Sequence, residues 1–141
     1  NTFIIRLPLL FGPTHQDQIV SKLLKKINKN ETVHISTDVY STPVYTPDLC
    51  KFVLNNCIRS QKILKKKIIH FSSNSRLSIF EFISLLLNKM KKKHLYKIIP
   101  VEDSFFKNNI KAKPKNLGLK SVHKQFIKPI NYNSFKLVEL I

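Results

Sequence analysis

The sequence is short of glycine, acidic residues and cysteine, and each shortage removes a class of explanation. With only Gly12 and Gly118 in 141 residues, no G-x-x-G-x-x-G loop can form to cradle a dinucleotide phosphate, because such a loop spends a glycine on each tight turn and close backbone approach. Cys50 and Cys57 stand seven apart and in no CxxC pair. That spacing places both on one face of a predicted helix and fits two buried thiols, not a metal site or disulfide. His15, His34, His70, His94 and His123 show no ligand spacing, so no metal site is expected. No Ser/His/Asp set can be argued from order alone. No apolar run approaches the roughly 18 residues of a membrane span, and the first residues do not read as a secretory leader. The expectation is a soluble, cytoplasmic protein with no membrane contact.

Acidic residues are outnumbered, eight against 25 Lys and Arg, for a net charge of +17. Such an imbalance fits a nucleic-acid partner or an acidic surface. Its make-up points elsewhere, because only Arg6, Arg59 and Arg76 are arginines and the chain is crowded with Asn and Ile as well as Lys. Those are the residues an A+T-rich coding sequence supplies. The runs at 65–67 and 91–93 contain no aromatics, whereas single-strand binders interleave them. These lysines read as solvated surface, and nucleic acid as an unlikely partner.

What is present is enough for one domain: 141 residues, 43% of them apolar. Residues 2–12 (TFIIRLPLLFG) form a nearly unbroken apolar run that reads as a fully buried strand, closed by Phe11-Gly12-Pro13. A strand of that kind needs covering on both faces, and so much buried surface so early implies the back half of a larger α/β protein. Asp17 is a candidate N-cap for a helix over residues 18–29, where Val20, Leu23, Leu24 and Ile27 recur at helical spacing. Residues 32–37 (TVHIST) read as a short strand. Residues 38–48 (DVYSTPVYTPD) are extended, since each proline pushes the residue before it out of the helical region. They lead into a helix with Thr46 as N-cap, Pro47 at the first position and a stripe of Cys50, Val53, Leu54, Cys57 and Ile58.

Residues 67–72 (KIIHFS) read as a strand, with SNSR as its exit. Ser78 and Glu81 match a capping box, followed by Ile79, Phe82, Ile83, Leu86, Leu87 and Met90, the strongest amphipathic pattern in the chain. Residues 97–101 (KIIPV) are another strand, 102–109 a helical turn and loop, and 112–119 extended. A weak helix is expected over 121–127. The division into domains is then 1–127 for the folded part and 128–141 for a C-terminal tail.

In order, IIRLPLLFG, DVYSTPVYTPDLC, IIHFSS, SIFEFISLLLNKM, IIPVED and KPKNLGL resemble the C-terminal part of extended short-chain dehydrogenases over residues 4–121. The branch they are most similar to is the dTDP-4-dehydrorhamnose reductase-like one, which also holds the non-catalytic regulatory β subunit of methionine adenosyltransferase. The order and spacing of the set carry the resemblance. It implies an α/β fold, the C-terminal part of an extended Rossmann-type domain: one core parallel strand plus a small mixed α/β substrate lobe. It also implies an NAD(P)-dependent oxidoreductase whose glycine loop and Tyr-x-x-x-Lys pair lie in an N-terminal half that this sequence lacks. No cofactor and no catalytic residue are therefore expected in this chain alone. Tyr132 and Lys136 do form a literal Tyr-x-x-x-Lys. In a chain this rich in lysine a chance match is expected, and the family's pair precedes the opening strand.

By the same resemblance Pro8, Leu9 and Leu10 border the cofactor, Leu9 and Leu10 fitting a plain core role equally well. Gln18, Tyr40, Tyr45, Lys113 and Asn116 are the candidates for substrate binding. Gln18 could equally be exposed, the tyrosines could be strand residues, and Asn116 could simply hold its loop. Lys113 stands where the family's R-P-x-N pattern has arginine; lysine keeps the charge and loses the two-pronged geometry that suits a diphosphate. The implied function is the substrate-binding portion of a sugar-nucleotide reductase or epimerase, silent by itself. Its partners would be a nucleotide-activated sugar and the missing Rossmann half, with a homodimer or a methionine adenosyltransferase-like partner also open. The alternatives are a regulatory subunit of the latter kind and a basic nucleic-acid-binding module.

Overall fold

The computed structural model describes residues 4–13, 18–59, 68–89, 97–106, 114–121, 127–128 and 130. The opening run is not one fully buried strand. It forms β1 (Ile4–Arg6) and, beyond a break, β2 (Leu10–Phe11). Pro8, which has no N–H to give to a ladder, sits in the break, and the partner changes across it. β1 pairs in parallel with β6 (Ile68–His70), and β2 in parallel with β5 (Val44–Tyr45). Among the described residues β1 has no second neighbour, so Ile4 stays half exposed, as does Ile68 opposite it. Burial begins in earnest only at Phe11, which is wholly enclosed.

α1 (Ile19–Asn28) presents Val20, Leu24 and Ile27 inward, with Leu23 partly buried beside them. Asp17 lies outside the described residues; the residue at the cap position is Gln18, whose side chain makes no capping bond. β3 (Val33–Ser36) pairs in parallel with β9 (Ile98–Val101), Val33 opposite Ile98 and Ser36 opposite Val101. α3 (Ile79–Lys89) begins with the expected capping box. The Ser78 N–H donates to Glu81 Oε2 at 2.7 Å and the Glu81 N–H to Ser78 Oγ at 3.1 Å. Phe82, Ile83, Leu86 and Leu87 face β3 and α1. Phe82 meets Phe11 edge-on at 4.8 Å, an arrangement aromatic pairs favour. Met90 lies outside the described residues.

α2 (Thr46–Phe52) starts one residue earlier than expected, with Tyr45 at the cap position. The Thr46 hydroxyl donates instead to the Phe11 carbonyl at 3.0 Å, tying the helix to β2. The helix then widens into a π turn over Val53–Arg59. This corrects the expected stripe: Cys57 is buried and Val53 partly so, but Cys50, Leu54 and Ile58 are exposed. Seven residues make nearly two α-helical turns, so the wider turn carries Cys50 and Cys57 off a common face. Asn56 Nδ2 donates to the Phe52 carbonyl at 3.0 Å, the acceptor that the Asn56 backbone N–H would use in an α-helix. Cys57, Phe52, Val44, Ile69 and Phe71 form a second cluster.

β4 (Tyr40–Ser41) pairs antiparallel with β8 (Leu77–Ser78). A 3₁₀ turn, Asp103–Phe106, follows β9. Residues 122–126 of the expected weak helix are not described, but its last position is strand: β10 (Ile127–Lys128) runs parallel to β7 (Ser72–Ser73). Ile130 packs on the main core. Parallel pairs thus outnumber the one antiparallel pair among the described residues, the mark of an α/β chain with crossover connections. No helix among them is long and apolar enough to cross a membrane.

Candidate functional site

An open cleft of about 400 Å³ lies between two stretches of irregular chain. One wall is the turn after β7, with Ser72, Ser73, Asn74 and Arg76. Small polar residues let this wall run close to β10: Ser72 and Ser73 are buried in the parallel pair, and the Asn74 N–H donates to the Lys128 carbonyl at 3.1 Å. Ser73 Oγ donates to the Ser75 carbonyl at 3.1 Å, which tightens the turn.

The other wall is the extended segment 116–121, with Thr42 between the two. Pro114 disfavours a helix running through this stretch, and the segment lies along β4 instead. The Tyr40 N–H donates to the Lys115 carbonyl and the Leu117 N–H to the Tyr40 carbonyl, each at 2.8 Å. Thr42 Oγ1 accepts the Leu119 N–H at 3.0 Å and donates to the Leu119 carbonyl at 3.2 Å. Asn116 Oδ1 accepts the Gly118 N–H at 3.2 Å, the local side-chain bond that holds its loop. His70 Nδ1 lies 3.3 Å from the Lys120 carbonyl and bonds it as donor.

Among the described residues, two cations, Arg76 and Lys120, and no carboxylate line the cleft. The Arg76 guanidinium carbon sits 3.9 Å from the centre of the Tyr40 ring, a cation–π contact. An organised acid, Asp38, stands at the turn between β3 and β4. Its Oδ2 pairs with Lys115 Nζ at 2.8 Å, and its Oδ1 accepts the Asp103 N–H at 2.7 Å and the Ser36 hydroxyl at 3.0 Å. The bond from Lys115, helped by that from Asp103, holds the Asp38 carboxyl down at about 2, and Asp38 in turn raises Lys115. One carboxylate therefore ties the β3–β4 turn to the 3₁₀ turn and to the start of the cleft wall. Burial pushes the Cys57 thiol up, away from nucleophilic use.

The candidate residues from the sequence separate in space. Asn116 lines the cleft; Tyr40 does not, but its ring touches Arg76, which does. Pro8, Leu9 and Leu10 do not line it. Leu9 packs on the main core while its N–H donates to Ser41 Oγ at 3.3 Å, and Leu10 packs on the second cluster. Gln18 stands at the start of α1 with Oε1 buried and without a hydrogen-bond partner among the described residues. Tyr45 lies 5.6 Å from the Phe11 ring, between β2 and α2. Lys113 lies outside the described residues. Thr42, Arg76, Lys120 and the serines of β7 carry no sequence signal beyond SSNSR, a polar run that reads as a strand exit.

Neither glycine fits a dinucleotide phosphate. A Cβ at Gly12 would come within 3.1 Å of the Thr46 side chain, and one at Gly118 within 3.3 Å of Asn116 and Thr42. Both pack against other parts of the chain, so neither opens a phosphate-cradling loop among the described residues. Among the described residues no group of three His, Cys, Asp or Glu could hold a metal.

Comparison with known proteins agrees with this architecture. No curated protein matches the chain. Among solved structures, dTDP-4-dehydrorhamnose reductase from Bacillus anthracis, in complex with NADP, superposes with a TM-score of 0.64 at 20% identity, over 86% of this chain and 40% of its own. The Yersinia enterocolitica reductase gives 0.65 at 21%, over 96% and 43%. UDP-glucuronic acid 4-epimerase from Bacillus cereus, in complex with UDP-glucuronic acid and NAD, gives 0.71 at 16%, over 98% and 43%. The chain thus spans about two-fifths of the length of these proteins and shares their mixed α/β fold with parallel strands. The family model described as the RmlD substrate binding domain matches residues 1–137, and the chain belongs to that family.

Proposed function

We propose that this domain is the substrate-binding portion of an NAD(P)-dependent reductase or epimerase acting on a nucleotide-activated sugar. The observation that carries the reading is the cleft of about 400 Å³, with serine, threonine and asparagine among its lining residues, in a chain matched over residues 1–137 by a substrate-binding family. Its volume falls in the ordinary range for small-molecule sites, and serine, threonine and asparagine suit sugar hydroxyls. The complexes of the related proteins with NADP, and with NAD and UDP-glucuronic acid, support the same class of ligand.

NAD(P) belongs, in this reading, to a Rossmann half supplied by other residues, and this domain alone turns nothing over. The half-exposed Ile4 and Ile68 at the β1–β6 edge, with Leu54 and Ile58 exposed on the π turn, are apolar surface suited to such a neighbour. Calorimetric titration of the chain with dTDP- and UDP-sugars is the test. The expected result is saturable binding, with no consumption of NADPH when cofactor is added. Absence of binding by either sugar nucleotide contradicts the proposal.

A further inference from the structure

The β3–β9 pair buries one face and leaves the other largely open. Val33, Ile35 and Ile98 point into the main core with the apolar sides of α1 and α3. The opposite face carries His34 and Ile99, which stand side by side in register. Phe105 of the 3₁₀ turn stacks on the His34 ring at 4.5 Å, and Phe106 meets Phe105 edge-on at 5.6 Å. Parallel strands are ordinarily covered on both faces, yet Ile99 is 41% exposed, Phe106 45% and Phe105 58%. The turn that presents these rings is fixed. The Thr37 N–H and hydroxyl both donate to the Val101 carbonyl, at 2.8 and 3.1 Å, and Asp38 holds the Asp103 N–H at 2.7 Å. Exposed aromatics already held in place are the anchors an interface uses, and their rigidity lowers the ordering cost of binding.

The charges beside the patch select its occupant. Exposed Lys97 precedes β9 and exposed Glu102 follows it, so the two ends of the strand carry opposite signs. When two copies meet face to face about a two-fold axis over the middle of β9, their strands run antiparallel and Lys97 of each faces Glu102 of the other. Such a surface is complementary to itself. Addition of a strand at the edge is disfavoured. The Lys97 and Val101 carbonyls point to β3, so Pro100, which has no N–H, faces the open side. The patch also belongs to the main core, whereas Ile4, Ile68, Leu54 and Ile58, the surface offered to a Rossmann half, lie on elements that build the second cluster. We infer that the outer face of β3–β9 is a self-association surface, through which two copies of this chain pair on His34, Ile99, Phe105 and Phe106, with Lys97 and Glu102 setting the register. This pairing does not depend on the sugar-nucleotide reading. The patch is small and each copy carries a net charge of +17, so the dimer is weak, with a Kd of about 10–500 μM. Salt screens the mutual repulsion and spares the apolar contact, so association strengthens from low to physiological ionic strength.

The test is sedimentation equilibrium of the chain alone, at low and at physiological salt, with variants of the patch. The chain is expected to show a monomer–dimer equilibrium that tightens with salt. Phe105→Ser and Phe106→Ser should each weaken it by about tenfold or more, the loss of an interface anchor, and Ile58→Ser should leave it unchanged. Lys97→Glu and Glu102→Lys put like charges opposite each other in their own dimers, so each should associate less than wild type. A mixture of the two should pair more tightly than either alone, and the double variant should recover the wild-type constant. The charge reversals keep the apolar contacts, and unchanged circular dichroism and thermal melts in every variant identify the losses as losses of contact. A chain that stays monomeric throughout overturns the inference. So does a dimer indifferent to Phe105 and Phe106, or one that depends on Ile58 instead, which places the contact on the surface offered to the Rossmann half. Charge reversals that fail to rescue each other, with the phenylalanine effects intact, overturn the two-fold register.

Discussion

Around α3 and β3 the chain encloses phenylalanines and branched aliphatics, whereas the cleft beside the 72–76 turn is walled by serine, threonine and asparagine. The first region is held by area removed from water, and its parts are locally patterned. The second is held by hydrogen bonds between residues far apart in the chain, such as Thr42 to Leu119 and Asp38 to Asp103. The core can therefore be damaged without touching a cleft residue, and the cleft can be emptied of function at almost no cost in stability.

The most disruptive test of that contrast is Phe82→Ala. Phe82 is wholly buried against Phe11, and its truncation should cost about 3–5 kcal/mol in urea unfolding. A loss under about 1 kcal/mol would mean that the core is not where the chain's stability lies. Thr42→Val comes next. It keeps the shape and orphans both the N–H and the carbonyl of Leu119, for an expected loss of about 1–3 kcal/mol. Because that bond also positions a cleft wall, ligand affinity should fall with it, whereas an equal destabilisation placed in the core should spare affinity at temperatures where the protein stays folded.

Ser78→Ala removes one arm of the capping box and should cost about 1 kcal/mol, read as a lowered melting temperature with affinity preserved. Arg76→Ala should change stability by no more than about 0.5 kcal/mol, its only effect appearing in binding. A large stability change there would recast Arg76 as a structural residue.

The smallest effect belongs to Asp38→Asn and shows only in acid. The folded-state value of Asp38 is depressed from 3.8 to about 2. Its contribution is therefore complete above 3.8 and lost as pH falls through the lower value. Lys115, raised by the same pair, contributes below its ordinary value of 10.5 and loses that contribution as pH rises through its own. Denaturation midpoints for Asp38→Asn should show a shallower decline than wild type across the acid interval, and parallel declines would refute the pairing. Lys115 is largely exposed, so solvent screening keeps the effect modest.

The same contrast explains what could be read from the sequence. α1, α3 and its capping box, β3 and β9 were legible because their signals are local: apolar residues at helical spacing, a Ser and a Glu three apart, short β-branched runs. The stripe over residues 50–58 failed because a π turn changes the period, and nothing in the order of side chains announces that. The opening run reads as fully buried because composition reports apolarity and not how many neighbours a strand has, and among the described residues β1 has one. Of the cleft, Asn116 and Tyr40 were singled out through the resemblance, while Arg76, Lys120 and Thr42 were not. Their nearness depends on parallel pairings such as that of β7 with β10, which no local pattern encodes.

The most direct test of the account is a residue-by-residue amide NMR titration of the chain with a dTDP- or UDP-sugar. The cleft reading predicts shift changes concentrated at Ser72, Ser73, Asn74, Arg76, Asn116, Gly118 and Lys120, with Leu24, Phe82 and Leu86 in the core unmoved. Changes centred instead on Leu9, Leu10 and Tyr45, with the cleft amides silent, would contradict it.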